Sequence, residues 1–264
     1  MTNLSPLPQI PVGECAFFFD VDGTLAEIKP RPEEVCIPPS VNAALQELVQ
    51  QTQGAVALVS GRPVEELDAL ISPLILPVAG IHGAEHRDIR GEVHRITLPH
   101  ALSALLADKL SAALSEMPGT LLEDKGSAFA LHYRQVPHYE NTILTLARQT
   151  VAEHPELVLQ PGKCVAELKP VGVSKGEAIM RFMQAAPFQG RQPLFFGDDV
   201  TDEAGFKVVN QQGGISVKIG EGPTAAQHRL QNVGALRHWL KTLLLQQSTT
   251  RVRSESDESL SRRI

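Results

Sequence analysis

Cysteine, excess positive charge and long apolar runs are what this 264-residue chain lacks, and each shortage excludes a class of function. Its three cysteines, Cys15, Cys36 and Cys164, are odd in number, widely spaced and in no C-x-x-C pair. That argues against a disulfide framework or a structural zinc, and it fits a reducing cytoplasm. His82 and His132 belong to no H-E-x-x-H or clustered pattern, so neither receives a catalytic role. A formal net charge of −6 offers no basic footprint for a nucleic acid, so an anionic substrate would need local positive charge at its site. Nowhere do eighteen apolar residues run together, and the amino terminus lacks a charged region followed by an apolar one. The expectation is a soluble, unexported protein with no membrane partner, taken as a monomer. With 42% apolar and 20% charged residues the composition is that of an ordinary folded enzyme. Length allows one large domain or two modest ones, and there is no internal repeat.

What is present is concentrated at strand ends. Ala16 to Phe19 is a short unbroken apolar run, as expected for a parallel strand buried on both faces. Asp20 falls at its carboxyl end, the edge where open α/β sheets bind ligands, and Asp22 follows two residues later. Gly23 frees the backbone to turn, Thr24 adds a hydroxyl, and the turn amides of Asp22, Gly23 and Thr24 could form an anion-binding nest. An ordinary Asp-rich turn is the alternative.

The rhythm along the chain separates two kinds of structure. Val41, Ala44, Leu45, Leu48 and Val49 sit at helical spacing behind Pro38-Pro39, Ala55 to Val59 reads as a second strand, and Val64 to Ile71 as a second helix. This βαβ pattern predicts a parallel sheet. From Arg87 the pattern changes to a hairpin about Arg90-Gly91, a helix over Pro99 to Met117, strands at Leu121 to Lys125 and Phe129 to Arg134, and a helix over Pro137 to His154. Two strands follow, near Val158 to Gln160 and Cys164 to Leu168, split by Pro161-Gly162. The βαβ rhythm resumes with a helix at Ser174 to Gln184, strands at Pro193 to Phe196 and Ile215 to Lys218, a helix near Thr201 to Val209 and a last one from Leu236 to Gln246. The expected fold is α/β, a Rossmann-like parallel-sheet core of residues 1–86 and 172–247 with an inserted α+β cap of residues 87–171. Residues 248–264, rich in Ser, Arg, Asp and Glu, read as a flexible tail.

Two further strand ends and one helix start carry groups suited to the Asp20 site. Ser60 follows Val59, where its hydroxyl could bond a phosphate oxygen with Gly61 permitting close approach, or could cap the next helix. Lys175 sits at a helix start, an unfavourable place for a cation unless an anion lies there. Gly197-Asp198-Asp199-Val200-Thr201-Asp202-Glu203 ends another apolar strand, and its crowded carboxylates suit Mg²⁺. Asp198 is read as the metal ligand, Asp199 and Glu203 as the acidic first turn of a helix.

Taken together, Asp20-x-Asp22-Gly-Thr, Ser60, Lys175 and Gly197-Asp198-Asp199-x-x-Asp202 resemble, in order and spacing, the four motifs of the haloacid dehalogenase superfamily of phosphohydrolases. The resemblance implies that Asp20 is a nucleophile forming an aspartyl-phosphate and Asp22 the general acid and base. It also implies that Mg²⁺ is held by the Asp20 side chain, the Asp22 backbone carbonyl and Asp198, with Asp202 supporting through water. A closer resemblance, over nearly the whole chain except its ends, is to the trehalose-6-phosphate phosphatase family. It rests on Phe18 to Ala26, Val59-Ser60-Gly61-Arg62, Gly80 to Glu85, Leu131 to Arg134, Glu167-Leu168-Lys169-Pro170 and Gly197 to Glu203. That family's enzymes release trehalose and inorganic phosphate from trehalose 6-phosphate, the final step of trehalose biosynthesis, and the resemblance makes Arg62 a further substrate-binding residue.

The cap is also readable without the family. Glu123 and Lys125 share one strand face with Leu121, and Val165, Glu167 and Lys169 share another. Carboxylates and an ammonium on such faces suit the hydroxyls of a neutral sugar, while the alternative is a solvated outward face. By resemblance, Glu123, Lys125 and Glu167 are sugar-gripping positions of a substrate lid. Another sugar-phosphate phosphatase, a phosphomutase or a non-enzymatic binding module are the rival readings.

Overall fold

The first strand, β1 (Cys15–Phe19), is buried along its whole length, and its side chains alternate between two separate cores. Cys15, Phe17 and Phe19 point into one, Ala16 and Phe18 into the other. That is why the run reads as uninterrupted apolar sequence: neither face can carry a polar group. The computed structural model describes residues 7–162 and 164–246. The expected tail, residues 248–264, lies outside them.

The chain continues through α1 (Pro39–Gln51), β2 (Val56–Val59), α2 (Val64–Ile71), β3 (Val78–Gly80), β4 (Glu85–Arg87) and β5 (Val93–Arg95). Next come α3 (His100–Ser115), β6 (Leu121–Asp124), β7 (Phe129–His132), α4 (Glu140–Glu153), β8 (Leu157–Gly162) and β9 (Val165–Pro170). Then follow α5 (Lys175–Met183), β10 (Gln192–Gly197), α6 (Glu203–Gln211), β11 (Ile215–Ile219), β12 (His228–Leu230) and α7, residues 233–246. None of the described helices is long and apolar enough to cross a membrane.

Eight strands form one sheet in the order β12-β11-β10-β1-β2-β3-β4-β5, parallel from β12 to β3. On one face α1, α2 and α7 cover Phe17, Phe19, Leu58 and Phe196 through Val41, Leu45, Leu48, Leu67, Ile71, Leu236 and Leu240. On the other, Ala178, Ile179 and Phe182 of α5 and Phe206 and Val209 of α6 cover Phe18, Ala57 and Phe195. Phe18 packs between Phe182 and Phe188, with ring centroids 5.9 and 5.5 Å away. Burying each such ring contributes roughly 1.5–3 kcal/mol. From β1 the chain runs through α1 to β2 on one side, while β10 arrives on the other. The carboxyl ends of β1 and β10 therefore stand side by side at the switch point of a doubly wound sheet.

The described residues divide into two compact units, one up to Val93 and again from Lys175, the other His94–Ser174. The first junction falls inside β5, after Val93, and β4 lies wholly on the core side because it pairs antiparallel with β3. The second unit is an antiparallel sheet, β6-β7-β9-β8, covered on one face by α3 and α4. Leu106, Leu110 and Leu114, four residues apart on α3, make a buried stripe against Phe129, Leu131, Ala166 and Leu168. Strand β8 runs straight through Pro161-Gly162, which the sequence reading treats as a break. It lies at the sheet edge, where a proline without an N–H removes no ladder bond.

Candidate active site

Asp20 leaves β1 with its amide still in the ladder, donating to the Phe196 carbonyl at 2.9 Å, so the sheet itself aims the side chain. Behind it Phe19 stacks on Phe196 at 5.0 Å, and Phe196 packs on Trp239 at 5.0 Å, a rigid aromatic floor. Lys175, at the first turn of α5, donates from Nζ to Asp20 Oδ1 and to Asp202 Oδ1, each at 2.7 Å. All three are almost completely buried. The unfavourable helix-start position of this lysine is thus resolved by two carboxylates. Asp202 Oδ2 accepts from the amides of Asp198 at 3.0 Å and Asp199 at 2.9 Å, so both its oxygens are engaged in ordering the acidic loop.

Oxygens of Asp20, Asp198 and Asp202 lie within 4.8 Å of one another. Burial, aided by the charges of Asp202 and Asp198 and opposed by Lys175, pushes Asp20 well above the ordinary carboxylate range. Burial and then the charge of Asp202 push Asp198 up to about 6. Burial works against the charge on Lys175, but Asp20 and Asp202 outweigh it and hold its pKa above the usual lysine value. Asp198 Oδ1 is buried with no hydrogen-bond partner. Negative charge at this strand edge therefore exceeds what Lys175 offsets, and the donors are all hard oxygens.

The Asp22–Thr24 turn closes on itself. The Gly23 amide donates to the Ala26 carbonyl at 2.8 Å and the Thr24 amide to Val21 at 3.2 Å, so these two amides are already taken and do not line a phosphate nest as expected. Thr24 Oγ1 lies 3.4 Å from Asp20 Oδ2. Gly23 is required for another reason: at φ +80°, a Cβ there would stand 2.1 Å from Asp198 Oδ2. A Gly23→Ala enzyme should displace Asp198 or the turn, losing about a hundredfold in kcat, because ångström-scale misplacement costs that much. Steady-state kinetics beside a thermal melt checks this; unchanged kcat in a folded variant would contradict it.

Arg62, from the loop after β2, forks onto Asp22, with Nε 2.6 Å from Oδ2 and Nη2 2.8 Å from Oδ1. Bonding to Asp22 raises the arginine's pKa above its ordinary value, the more so with Glu66 bonded to Nη1 at 2.9 Å. Ser60 is buried beside it, its Oγ accepting from the Arg62 amide at 3.3 Å, and it does not cap α2, whose first residues follow Pro63. Its hydroxyl proton stays available to an acceptor. Gly61 allows the His82 ring to lie close, since a Cβ would meet His82 Cε1 at 2.7 Å. Asp199 caps the following turn through the Val200 amide at 2.6 Å; Glu203 stands in the first turn of α6, but its carboxylate accepts from the distant Ala225 amide at 2.7 Å.

In the second unit the helix-free face of the sheet carries the polar residues. Register places Ala130 of β7 opposite both Glu123 and Glu167. Lys125 Nζ donates to Glu167 Oε1 at 2.6 Å, His132 Nε2 lies 2.8 Å from Glu123 Oε2, and Lys169 bonds Gln160. His132 is a residue that sequence reasoning left without a role; here it orients Glu123.

A family profile described as trehalose-phosphatase matches residues 18–233. The chain is 51% identical over 263 residues to the trehalose-6-phosphate phosphatase of Escherichia coli (strain K12), covering 98% of this chain and 99% of that one. Among solved structures, the C-terminal domain of C. albicans trehalose-6-phosphate phosphatase matches with TM-score 0.75 at 22% identity, over 88% of this chain and 93% of the other. A haloacid dehalogenase-like hydrolase from Bacteroides thetaiotaomicron matches with TM-score 0.65 at 14% identity, over 86% of this chain and 98% of that one. These two structures bear on the fold alone. The profile and the bacterial relative, spanning the strand ends described above, carry the conclusion that the chain belongs to the trehalose-phosphatase family.

Proposed function

We propose that this chain hydrolyses trehalose 6-phosphate to trehalose and inorganic phosphate through an aspartyl-phosphate on Asp20. Family membership makes it a phosphoric monoester hydrolase. The observation that carries the mechanism is Asp20 itself, a buried carboxylate at the switch point whose Oδ1 is held by Lys175 at 2.7 Å. A carboxylate nucleophile divides the hydrolysis into two displacements. Asp20 attacks phosphorus as the sugar alkoxide leaves with a proton from Asp22; Asp22 then takes a proton from the water that attacks the acyl phosphate. The Arg62 fork holds the Asp22 carboxyl in place for these transfers. Ser60 offers its hydroxyl to a phosphate oxygen, Arg62 the one N–H on Nη1 not already given to Asp22, Glu66 and the Pro32 carbonyl, and Lys175 offsets charge on the transferring group.

The acidic cluster fits a Mg²⁺ ion, since hard oxygens crowd an edge where Asp198 Oδ1 lacks a partner. The side chains of Asp20 and Asp198 and the backbone carbonyl of Asp22 would hold it, with Asp202 supporting from behind. When bound, the ion would neutralise charge on the phosphoryl oxygens. Gly23 serves by letting Asp198 approach, and Thr24 by steadying Asp20. We place the reaction in a reducing cytoplasm, consistent with three free cysteines, and take the enzyme to act as a monomer.

A screen of phosphorylated mono- and disaccharides, with and without Mg²⁺, tests the reading. Preference for another sugar phosphate would move the substrate, and phosphate passed to a second sugar would make the chain a mutase. The second unit is proposed as the cap that binds the sugar through Glu123, Lys125 and Glu167. Because Lys125 and Glu167 are paired, Lys125→Ala and Glu167→Ala should each lower kcat/KM for trehalose 6-phosphate by about one to two decades, the worth of a charge-assisted bond of roughly 1.5–3 kcal/mol. The double variant should lose little more than either single one. A small aryl phosphate should be turned over nearly as before, and equal losses on both substrates would remove the sugar role.

A further inference from the structure

Lys218 is the other buried ammonium at the acidic strand edge, and nothing in the mechanism above uses it. It is the penultimate residue of β11, in register with Gly197 of β10, and only 5% exposed. Its neighbours Val217 and Ile219 pack in the core on one face, which turns Lys218 to the opposite face with the buried Ser216. A buried lysine ordinarily has a carboxylate partner. Among the described residues Lys218 has none within ion-pair distance, and its hydrogen bond goes to the main-chain carbonyl of Asp198. The same residue's amide is held by Asp202 at 3.0 Å. Asp198 is thus gripped at both its N–H and its C=O, while its own carboxylate Oδ1 is buried without a partner. A side chain left free to take a ligand can stay aimed only if its backbone is held, and here Lys218 supplies half of that hold.

We propose that Lys218 is a positioning residue for Asp198, setting the Mg²⁺ affinity of the site through its hydrogen bond to the Asp198 carbonyl and not through its charge. The inference rests on Asp198 being a metal ligand. The two roles predict opposite signs. Removing a positive charge beside clustered carboxylates would tighten cation binding if charge were what mattered, whereas releasing the Asp198 peptide would weaken it.

The test is a calorimetric titration of MgCl₂ into the full-length enzyme and its Lys218→Met and Lys218→Gln variants, without substrate. Methionine keeps the volume and loses the donor; glutamine keeps a donor and loses the charge. Lys218→Met should bind Mg²⁺ about tenfold more weakly and Lys218→Gln within about threefold of wild type. In turnover, the Mg²⁺ concentration for half-maximal rate should rise about tenfold in Lys218→Met, with kcat at saturating Mg²⁺ nearly restored. Unchanged or tighter binding by a folded Lys218→Met overturns the proposal. Should that variant not fold, a loss beyond tenfold in Lys218→Gln overturns it, and near-wild-type binding supports it. A wild-type enzyme that binds no Mg²⁺ overturns the metal reading instead, and the inference with it.

Discussion

An Asp20→Asn enzyme should lose about four orders of magnitude or more in turnover of trehalose 6-phosphate while remaining fully folded. The amide has the carboxylate's shape and keeps an acceptor for Lys175, whose Nζ lies 2.7 Å from Asp20 Oδ1, so the strand end should not rearrange. What is lost is the oxygen that can bond to phosphorus. Stability should move the other way. Asp20 is one of three carboxylates whose oxygens lie within 4.8 Å, and removing its charge relieves repulsion with Asp198 and Asp202. Melting temperatures measured with chelator should therefore be level with wild type or above it. Phosphate release assays and thermal melts check both halves; residual turnover within tenfold of wild type would rule out a covalent intermediate on Asp20.

Exhaustive chelation should abolish turnover, and added Mg²⁺ should restore it. The expected loss is about two to three decades or more, since a cation at a transferring phosphoryl group supplies several kcal/mol of transition-state stabilisation. Ca²⁺ should rescue poorly, because it tolerates looser coordination and more ligands than Mg²⁺ and so misplaces the phosphoryl oxygens relative to Asp20. The acidic edge gives this expectation its physical basis: oxygens of Asp20, Asp198 and Asp202 crowd within 4.8 Å of one another, and Asp198 Oδ1 is buried without a partner. A chelated enzyme that keeps full activity would show that Lys175 and Arg62 carry the phosphate charge unaided.

Much of this site is legible in the residue order because strand burial writes itself into sequence. A strand covered on both faces cannot carry polar groups until it ends, so Ala16–Phe19 and Leu194–Phe196 announce both a parallel sheet and the place where Asp20 and Asp198 emerge. Alternation along a strand likewise puts Glu123 with Lys125, and Glu167 with Lys169, on common faces. Short elements escape such reading. Strands β3 and β12 are three residues each, too few to show a period, and the last two residues of β8, Pro161-Gly162, read as a break because edge position is a property of the sheet and not of the segment.

Contacts between distant residues leave no local trace at all. Arg62 reaches Asp22 across 40 positions, Lys125 meets Glu167 across 42, and Lys218 reaches the Asp198 carbonyl across 20. No periodicity or turn chemistry couples such pairs; the sheet order and register do. The sequence by itself determined the kinds of group at each strand end, since local burial and turn geometry constrain which residue types can stand there. Only the tertiary structure decided how they are shared out. Lys175 serves Asp20 and Asp202 together, the Gly23 and Thr24 amides are taken by their own turn, and Asp22 belongs to Arg62. Each donor and acceptor finds its partner through the packing of elements that the chain order keeps far apart.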